Sequence, residues 1–244
     1  MESFCDSYTV VDIETTGLDP KRDKITEIAA VSVKGGKRAG SFHTLVNPGR
    51  KLDQEIAELT GLTDEALGDA PFIGEVIGDF LSFENTGCLM GHSVLFDYSF
   101  LKRAAVNAGE SFERKGIDTL AISRKYLQDL ESRSLPYLCR HFAIPHNAHR
   151  ALSDVDATLD LYGILKEKFG KDAEAEKVFA PKELIYKVKK ESPVTKKQIE
   201  QLERFLSYYQ IESAYDIKSM TRNEAGRYLD QLISAHGRIP PRNG

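Results

Sequence analysis

Four acidic residues and one histidine are grouped in three short motifs of this 244-residue chain. The motifs read VVDIETTGLDP, GHSVLFDYSFL and HRALSDVDATLDLY, and the five residues are Asp12, Glu14, Asp97, His149 and Asp154. An unpaired carboxylate is costly inside a domain, but several carboxylates can converge where hard divalent cations such as Mg²⁺ and Mn²⁺ neutralise them. The residue types therefore predict a site that hydrolyses phosphodiesters with two metal ions.

The pair Asp12 and Glu14 is the strongest local signal. The residues before it are apolar and predict a strand, in which a spacing of two places both carboxylates on one face. Gly17 follows and permits a close backbone approach by a ligand. The alternative is that this strand face is exposed and the carboxylates have no ligand.

The other acidic residues are placed at predicted helix starts. Asp97 begins a helix, where a carboxylate also complements the helix dipole and can cap free amides. Asp154 lies one turn into a later helix, and His149 lies just before that helix. Histidine can take a proton from water near neutral pH. Asp118 reads mainly as a helix cap.

The remaining acidic residues and histidines carry less information. Asp156 and Asp160 sit four apart on the last of these helices and read as a solvated face. No role is predicted for the other histidines: His43, His141, His146 and His236.

The elements that must position these residues follow from hydrophobic periodicity. Three strands over residues 8–13, 25–33 and 39–46 form an antiparallel meander. A fourth strand covers residues 88–90, and a fifth strand ends near residue 118. Helices are predicted over residues 71–83, 97–107, 119–129, 134–142 and 151–169. This order predicts an α/β fold with a mixed five-stranded sheet flanked by helices.

Three regions are expected along the chain. Residues 1–169 form the sheet domain, and residues 170–192 form a charged linker or weakly ordered arm. Residues 193–244 form a small module of two amphipathic helices. Each of these helices begins with capping-box spacing, at Thr195 and at Thr221.

The composition limits the class of protein that this chain can be. The chain has 41% hydrophobic and 29% charged residues, as in an ordinary globular protein. No apolar segment is long enough to span a bilayer, and the N-terminus does not resemble a secretory signal. Three widely spaced cysteines read as reduced thiols. We therefore expect a cytoplasmic protein with no membrane partner.

Charge is unevenly distributed. Residues 1–169 contain 19 Lys and Arg against 26 Asp and Glu, a net charge of −7. Residues 170–244 contain 14 against 11, a net charge of +3. The basic part could attract phosphate groups; the alternative is a solvated surface without a ligand.

Together the three motifs resemble those of the DEDDh exonucleases, the DnaQ-like 3′→5′ exonuclease superfamily. The resemblance covers residues 6–167 with the expected order, and the segment IAELTGLTDEAL at residues 56–67 also resembles the family. His149 and Asp154 are five positions apart, which indicates the histidine branch. Ser93 stands where the family often has asparagine. We expect this difference to alter substrate contacts and to leave metal binding intact.

The resemblance implies an RNase H-like fold that binds two Mg²⁺ or Mn²⁺ ions. It implies that Asp12 bridges both ions and that Glu14 and Asp154 complete the first site. Asp97 would hold the second ion through water, and His149 would be the general base that deprotonates the attacking water. The product would be a nucleoside 5′-monophosphate.

The resemblance also implies a pocket for the terminal nucleotide. Thr15, Gly17 and Leu18 match positions that hold it, with backbone against the sugar and Leu18 against the base. His92 and Phe96 would line the same pocket.

Within the superfamily, the sequence most resembles the proofreading exonucleases of the bacterial DNA polymerase III epsilon and PolC types. Single-stranded DNA 3′ ends are the favoured substrate, and trimming of RNA 3′ ends is the alternative. Two readings from other classes stay open. The chain could be a polymerase-associated interaction subunit that docks through residues 195–235, or a non-catalytic nucleic-acid-binding module.

Overall fold

A computed structural model describes residues 4–148 and 150–240 of the chain. The strands are β1 (Tyr8–Thr15), β2 (Ile25–Lys34), β3 (Lys37–Leu45), β4 (Cys88–Gly91), β5 (Lys115–Asp118) and β6 (Lys182–Glu183). The helices of the first 169 residues are α1 (Gln54–Thr60), α2 (Asp64–Gly68), α3 (Ile73–Phe83), α4 (Val94–Ala108), α5 (Thr119–Tyr126), α6 (Leu135–Phe142) and α7 (Ala151–Phe169). The later helices are α8 (Ala175–Phe179), α9 (Lys196–Tyr209) and α10 (Arg222–His236).

The strands form one mixed sheet in the order β3-β2-β1-β4-β5-β6. The meander of β1, β2 and β3 is antiparallel, as predicted. Strand β4 pairs with β1 and β5 in parallel, so helices must carry the chain back across the sheet. The predicted α/β architecture is confirmed.

Strand β1 is central and is buried on both faces. Tyr8 and Val10 pack in the core cluster that includes α7, while Val11 and Ile13 pack in the cluster that includes α3 and α4. This alternation continues to the end of the strand and turns Asp12 toward α7. The carboxyl ends of β1 and β4 meet at one edge of the sheet, where ligands commonly bind in open α/β sheets.

The sheet has six strands, and the predicted count of five was wrong. The sixth strand, β6, belongs to the segment predicted to be a linker, and its residues 182–183 pair antiparallel with β5. Helix α8 lies in the same segment, and its last residue, Phe179, is fully buried. Phe179 packs beside the rings of Phe4, Tyr126 and Tyr162. The high charge of the segment concealed this buried anchor from the sequence analysis.

Truncation of the Phe179 side chain provides a test of this packing. We expect Phe179→Ala to lower the free energy of unfolding by about 3–5 kcal/mol, the usual cost of removing a buried ring. Chemical denaturation monitored by circular dichroism measures this difference. The nearby exposed substitution Lys177→Ala serves as control, and an equal, small effect of both variants would show that α8 does not belong to the core.

The C-terminal module consists of α9 and α10, and both predicted capping boxes are present, at Thr195 and Thr221. The apolar stripes of the two helices pack on each other in a separate core cluster. The module also contacts the sheet domain: Glu224 forms an ion pair with Lys24, and the amide of Asp216 donates to the carbonyl of Gly49 at 2.7 Å.

Among the described residues, no helix combines the length and the apolar content needed to cross a membrane.

Candidate active site

Three predicted metal ligands come together at the end of β1. One oxygen from each of Asp12, Glu14 and Asp154 lies within 4.8 Å of the others. Asp12 and Glu14 are two residues apart and therefore lie on the same face of β1, the face that meets α7. Asp154 lies in the first turn of α7. The alternation of side chains on β1 and the position of the first turn of α7 thus bring hard oxygen ligands together.

Asp97 reaches the same region from α4. It lies in the first turn of that helix and is 5% exposed, and its Oδ1 accepts a hydrogen bond from the backbone amide of Ile13 at 3.2 Å. Ile13 lies between Asp12 and Glu14 on β1, so this bond joins the second motif directly to the first. The carboxylate of Asp97 is thus anchored to β1.

The electrostatics of the cluster favour a bound cation. Burial, reinforced by Asp97 and Asp154, raises the pKa of Asp12 well above its ordinary value. Burial and the nearby Asp154 raise the pKa of Glu14 to about 7. Burial raises the pKa of Asp97 to about 8, against the hydrogen bond from Ile13, which lowers it. Clustered carboxylate oxygens that repel one another fit the donor preference of Mg²⁺ and Mn²⁺.

These pKa shifts predict how stability depends on pH without metal. A carboxyl whose pKa is raised on folding binds more protons in the folded state, so stability falls as pH rises from about 4 to about 8. We expect Asp12→Asn to flatten this decline and to raise the melting temperature in EDTA at pH 8 by about 2–4 °C, equivalent to about 1 kcal/mol. Mg²⁺ should stabilise the wild type by linkage. Thermal denaturation at pH 5 and pH 8 measures these effects, and an Asp12→Asn variant that melts below wild type in EDTA would contradict the repulsion.

The cluster lies in a cleft of about 880 Å³. Leu18 and Phe96 line this cleft, and Leu18 is 84% exposed although it is apolar. Phe96 packs against Phe100 in a tilted arrangement, with ring centroids 5.1 Å apart. An exposed apolar side chain and an aromatic ring in one cleft provide surfaces against which a nucleotide base can pack.

Two residues predicted to hold the nucleotide have internal partners. The hydroxyl of Thr15 donates to the carbonyl of Gly17 at 2.6 Å. A Cβ atom at Gly17 would lie 2.5 Å from the Oδ2 atom of Asp23, so glycine is needed here for the Asp23 carboxylate. That carboxylate also accepts from the amide of Asp19 at 2.9 Å and from Arg50 at 3.0 Å. The loop after β1 is therefore held in shape by Asp23.

His92 lines the cleft, but both of its ring nitrogens are engaged. Its Nε2 lies 2.8 Å from the carbonyl of Arg133 and must donate to it, while Nδ1 lies 2.9 Å from the hydroxyl of Thr119. Burial lowers the pKa of His92, which favours the neutral ring. The ring can contact a ligand by its face, since its polar atoms bond the protein.

Ser93 has a left-handed backbone with φ of 83°. Asparagine adopts this conformation more readily than serine does, which gives a backbone reason for the asparagine expected at this position. The amide of Ser93 donates to Asp118 at 3.0 Å, and Asp118 also accepts from the amides of Leu120 and Ala121. Asp118 is thus a helix cap that fixes the turn before α4.

His146, to which the sequence assigned no role, lies against the carboxylate cluster. Its Nε2 lies 2.7 Å from Oδ1 of Asp154, and the amide of Arg150 donates to Oδ2 of the same carboxylate at 3.1 Å. Both oxygens of Asp154 are therefore oriented. The general base predicted from the motif, His149, lies outside the described residues.

Glu27 is a second residue that sequence reasoning missed. It faces Glu14 across the β1–β2 pair and is 5% exposed. One of its oxygens lies 2.6 Å from Nε2 of His43, which was also given no role. A single charge inside the otherwise buried strand ITEIAAVSV was the signal that could have identified it.

A family model described as an exonuclease, RNase_T, matches residues 9–162. The PolC-type DNA polymerase III of Clostridium perfringens is 38% identical over 171 residues, which are 70% of this chain and 12% of that protein. The epsilon subunit of DNA polymerase III from Aquifex aeolicus is 34% identical over 158 residues, which are 64% of this chain and 78% of that protein. The chain therefore spans only a small part of the PolC-type relatives and most of the epsilon subunit.

Solved structures show the same fold. Exonuclease X in complex with 5′-overhanging duplex DNA superposes with a TM-score of 0.55 at 24% identity, covering 71% of this chain and 99% of that one. Exonuclease I of E. coli in complex with single-stranded DNA gives a TM-score of 0.60 at 19% identity, covering 68% and 41%. The predicted RNase H-like exonuclease fold is confirmed.

Proposed function

Because this chain belongs to the RNase_T exonuclease family, we propose that it is a metal-dependent 3′→5′ exonuclease that releases nucleoside 5′-monophosphates from DNA ends. The observation that carries this proposal is the cluster of Asp12, Glu14 and Asp154, whose oxygens lie within 4.8 Å of one another at the end of β1. A binding module does not need three mutually repelling carboxylates, whose burial is costly without a cation.

The residues of the cluster would hold two Mg²⁺ or Mn²⁺ ions. Asp12, Glu14 and Asp154 are the direct ligands in this proposal, and Asp97 holds the second ion. When bound, the ions supply charge stabilisation and lower the pKa of water. The chain's own contribution is to fix the carboxylates: Ile13 orients Asp97 from the backbone of β1.

The residues around the cluster bind the terminal nucleotide, accept a proton and orient Asp154. Leu18 and Phe96 pack against the terminal base, and the loop held by Asp23 places the backbone of residues 15–18 against the sugar. His149 takes the proton from the attacking water, as a histidine can near neutral pH. Asp154 is held in place by His146 and by the amide of Arg150.

DNA is the proposed substrate class. The relatives named above are a PolC-type DNA polymerase III and the epsilon subunit of a DNA polymerase III, and the two solved structures hold single-stranded DNA and an overhanging duplex. RNA is the alternative substrate, because no side chain in the cleft is assigned to the 2′-hydroxyl.

Docking on a polymerase is proposed only as a secondary role. The epsilon relative is a subunit of DNA polymerase III. Leu202, Phe205 and Leu232 are buried between α9 and α10, so these stripes are not free to bind a partner groove. A polymerase would have to bind another surface, and the proposed nuclease activity does not require a polymerase.

Digestion of matched single-stranded DNA and RNA oligonucleotides, labelled at either end, tests the proposal. With Mg²⁺ or Mn²⁺ we expect immediate release of a 3′ label as a mononucleotide and a shrinking ladder from the 5′-labelled DNA. Faster cleavage of RNA would move the substrate class to RNA. Release of the 5′ label first, or cuts at internal positions, would contradict the 3′→5′ exonuclease.

A further inference from the structure

A second cleft, of about 1300 Å³, opens between α4, α10 and the irregular segment after β6. Its lining is strongly basic, and the cations used below are Lys21, Lys187, Lys189 and Arg227. Residues 184–190 and α10 lie beyond the part of the chain that the family model matches.

The carboxylates of this cleft are already neutralised. Glu191 pairs with Arg103 at 2.7 Å, Glu113 pairs with Lys102 at 2.7 Å, and Glu183 lies 3.7 Å from Lys115. These pairs leave the other cations of the lining uncompensated.

The four cations are exposed and have no carboxylate within ion-pair distance in residues 4–148 and 150–240. Lys21 lies in the loop after β1, Lys187 and Lys189 lie in the irregular segment, and Arg227 lies on α10. Lys190 is not counted with them, because its Nζ atom lies near Gly109 at the C-terminal end of α4, where a cation complements the helix dipole. The cleft therefore presents at least four uncompensated positive charges, on three separate elements of the chain.

The active-site cleft and the basic cleft are lined by residues of the same two elements. Leu18 lines the first cleft and Lys21 lines the second, and both belong to the short loop after β1. Phe96 lines the first cleft and Arg103 lines the second, and both belong to α4. Residues seven apart lie on one helix face, about 10 Å apart along the axis.

We infer that the basic cleft binds the phosphodiester backbone of the substrate strand upstream of the 3′ end that enters the active site. This inference rests on the proposed nuclease function and adds to it a strand path outside the family domain. Positive charge is needed here because residues 1–169 carry a net charge of −7, which repels a polyanion. Backbone contacts carry no sequence information, so the cleft would serve any single strand.

Substrate length and salt dependence test the inference. Binding of a labelled trinucleotide and a labelled 20-mer is measured by fluorescence anisotropy in EDTA, between 50 and 200 mM salt. The variant Lys187→Ala/Lys189→Ala is compared with Lys34→Ala/Lys37→Ala, which removes two exposed lysines from the β2–β3 hairpin. Both variants lose the same charge.

For the basic-cleft variant we expect the affinity for the 20-mer at 50 mM salt to fall about tenfold. The salt slope should decrease by about 1.4, because each phosphate contact on a single strand contributes about 0.7. The gain in affinity from trinucleotide to 20-mer should shrink accordingly. The hairpin variant should bind with the wild-type slope, and a 20-mer of RNA should show the same loss as DNA.

Equal slopes for the two double variants would overturn the inference, as would an equal loss of affinity for the trinucleotide and the 20-mer. A failure of the proposed nuclease function would give a different result. Wild-type protein that binds DNA with this length dependence, yet releases no nucleotide with Mg²⁺ or Mn²⁺, would retain the cleft and reject the nuclease.

Discussion

Replacement of Asp12 by asparagine is expected to lower the rate of nucleotide release about a thousandfold. Asp12 belongs to the carboxylate cluster, and burial, together with Asp97 and Asp154, raises its pKa well above the ordinary value. Asparagine keeps the shape of the side chain and removes the charge that would hold both ions. Loss of several kcal/mol of transition-state stabilisation corresponds to this rate, since 1.4 kcal/mol is a factor of ten.

The control for this variant is Asp160→Asn. Asp160 is an exposed aspartate of α7 that lies six residues after Asp154 and outside the cluster. It should retain the wild-type rate. An Asp12→Asn protein that is folded and keeps more than a tenth of wild-type activity would reject the metal assignment.

Replacement of His149 by alanine is expected to slow turnover about a hundredfold or more, the usual scale for a general base. The metal affinity should change little, because the motif assigns this histidine to proton transfer. Single-turnover rates with labelled DNA measure the first effect, and titration calorimetry with Mn²⁺ measures the second. A large loss of Mn²⁺ affinity would make His149 a ligand.

His146→Gln is the matched comparison three residues away. Its ring orients Asp154 through a hydrogen bond of 2.7 Å, and glutamine can replace that bond. We expect less than about a tenfold loss of rate, because glutamine keeps a donor to the Asp154 carboxylate and does not leave that group without a partner. A larger loss in His146→Gln than in His149→Ala would transfer the role of base to His146.

The sequence was sufficient for the parts of the site that local spacing determines. Asp12 and Glu14 share a strand face because strand side chains alternate, and Asp154 meets them because it begins a helix that packs on that face. The boundaries of α7 match the predicted range, whereas β1 extends two residues beyond the predicted end at residue 13 and includes Glu14. Asp118 capped its helix as its position indicated.

Other features depended on contacts between distant residues and could not be predicted locally. At Gly17 a Cβ atom would meet the carboxylate of Asp23, six positions later, and local spacing does not show this contact. Phe179 and the few other packed apolar residues of its segment lie among many charged ones, without a clear periodicity, and Phe179 is buried by rings that are distant in the sequence. His146 carries no motif of its own, and its contact with Asp154 depends on how the chain enters α7.

The most direct test of the account is release of a 3′ label from single-stranded DNA by the wild-type protein, measured with Mg²⁺, with Mn²⁺ and with EDTA. The account predicts that the label leaves as a nucleoside 5′-monophosphate with either metal and that release stops in EDTA. An equal rate in EDTA, or no release when calorimetry shows the metal bound, would contradict it.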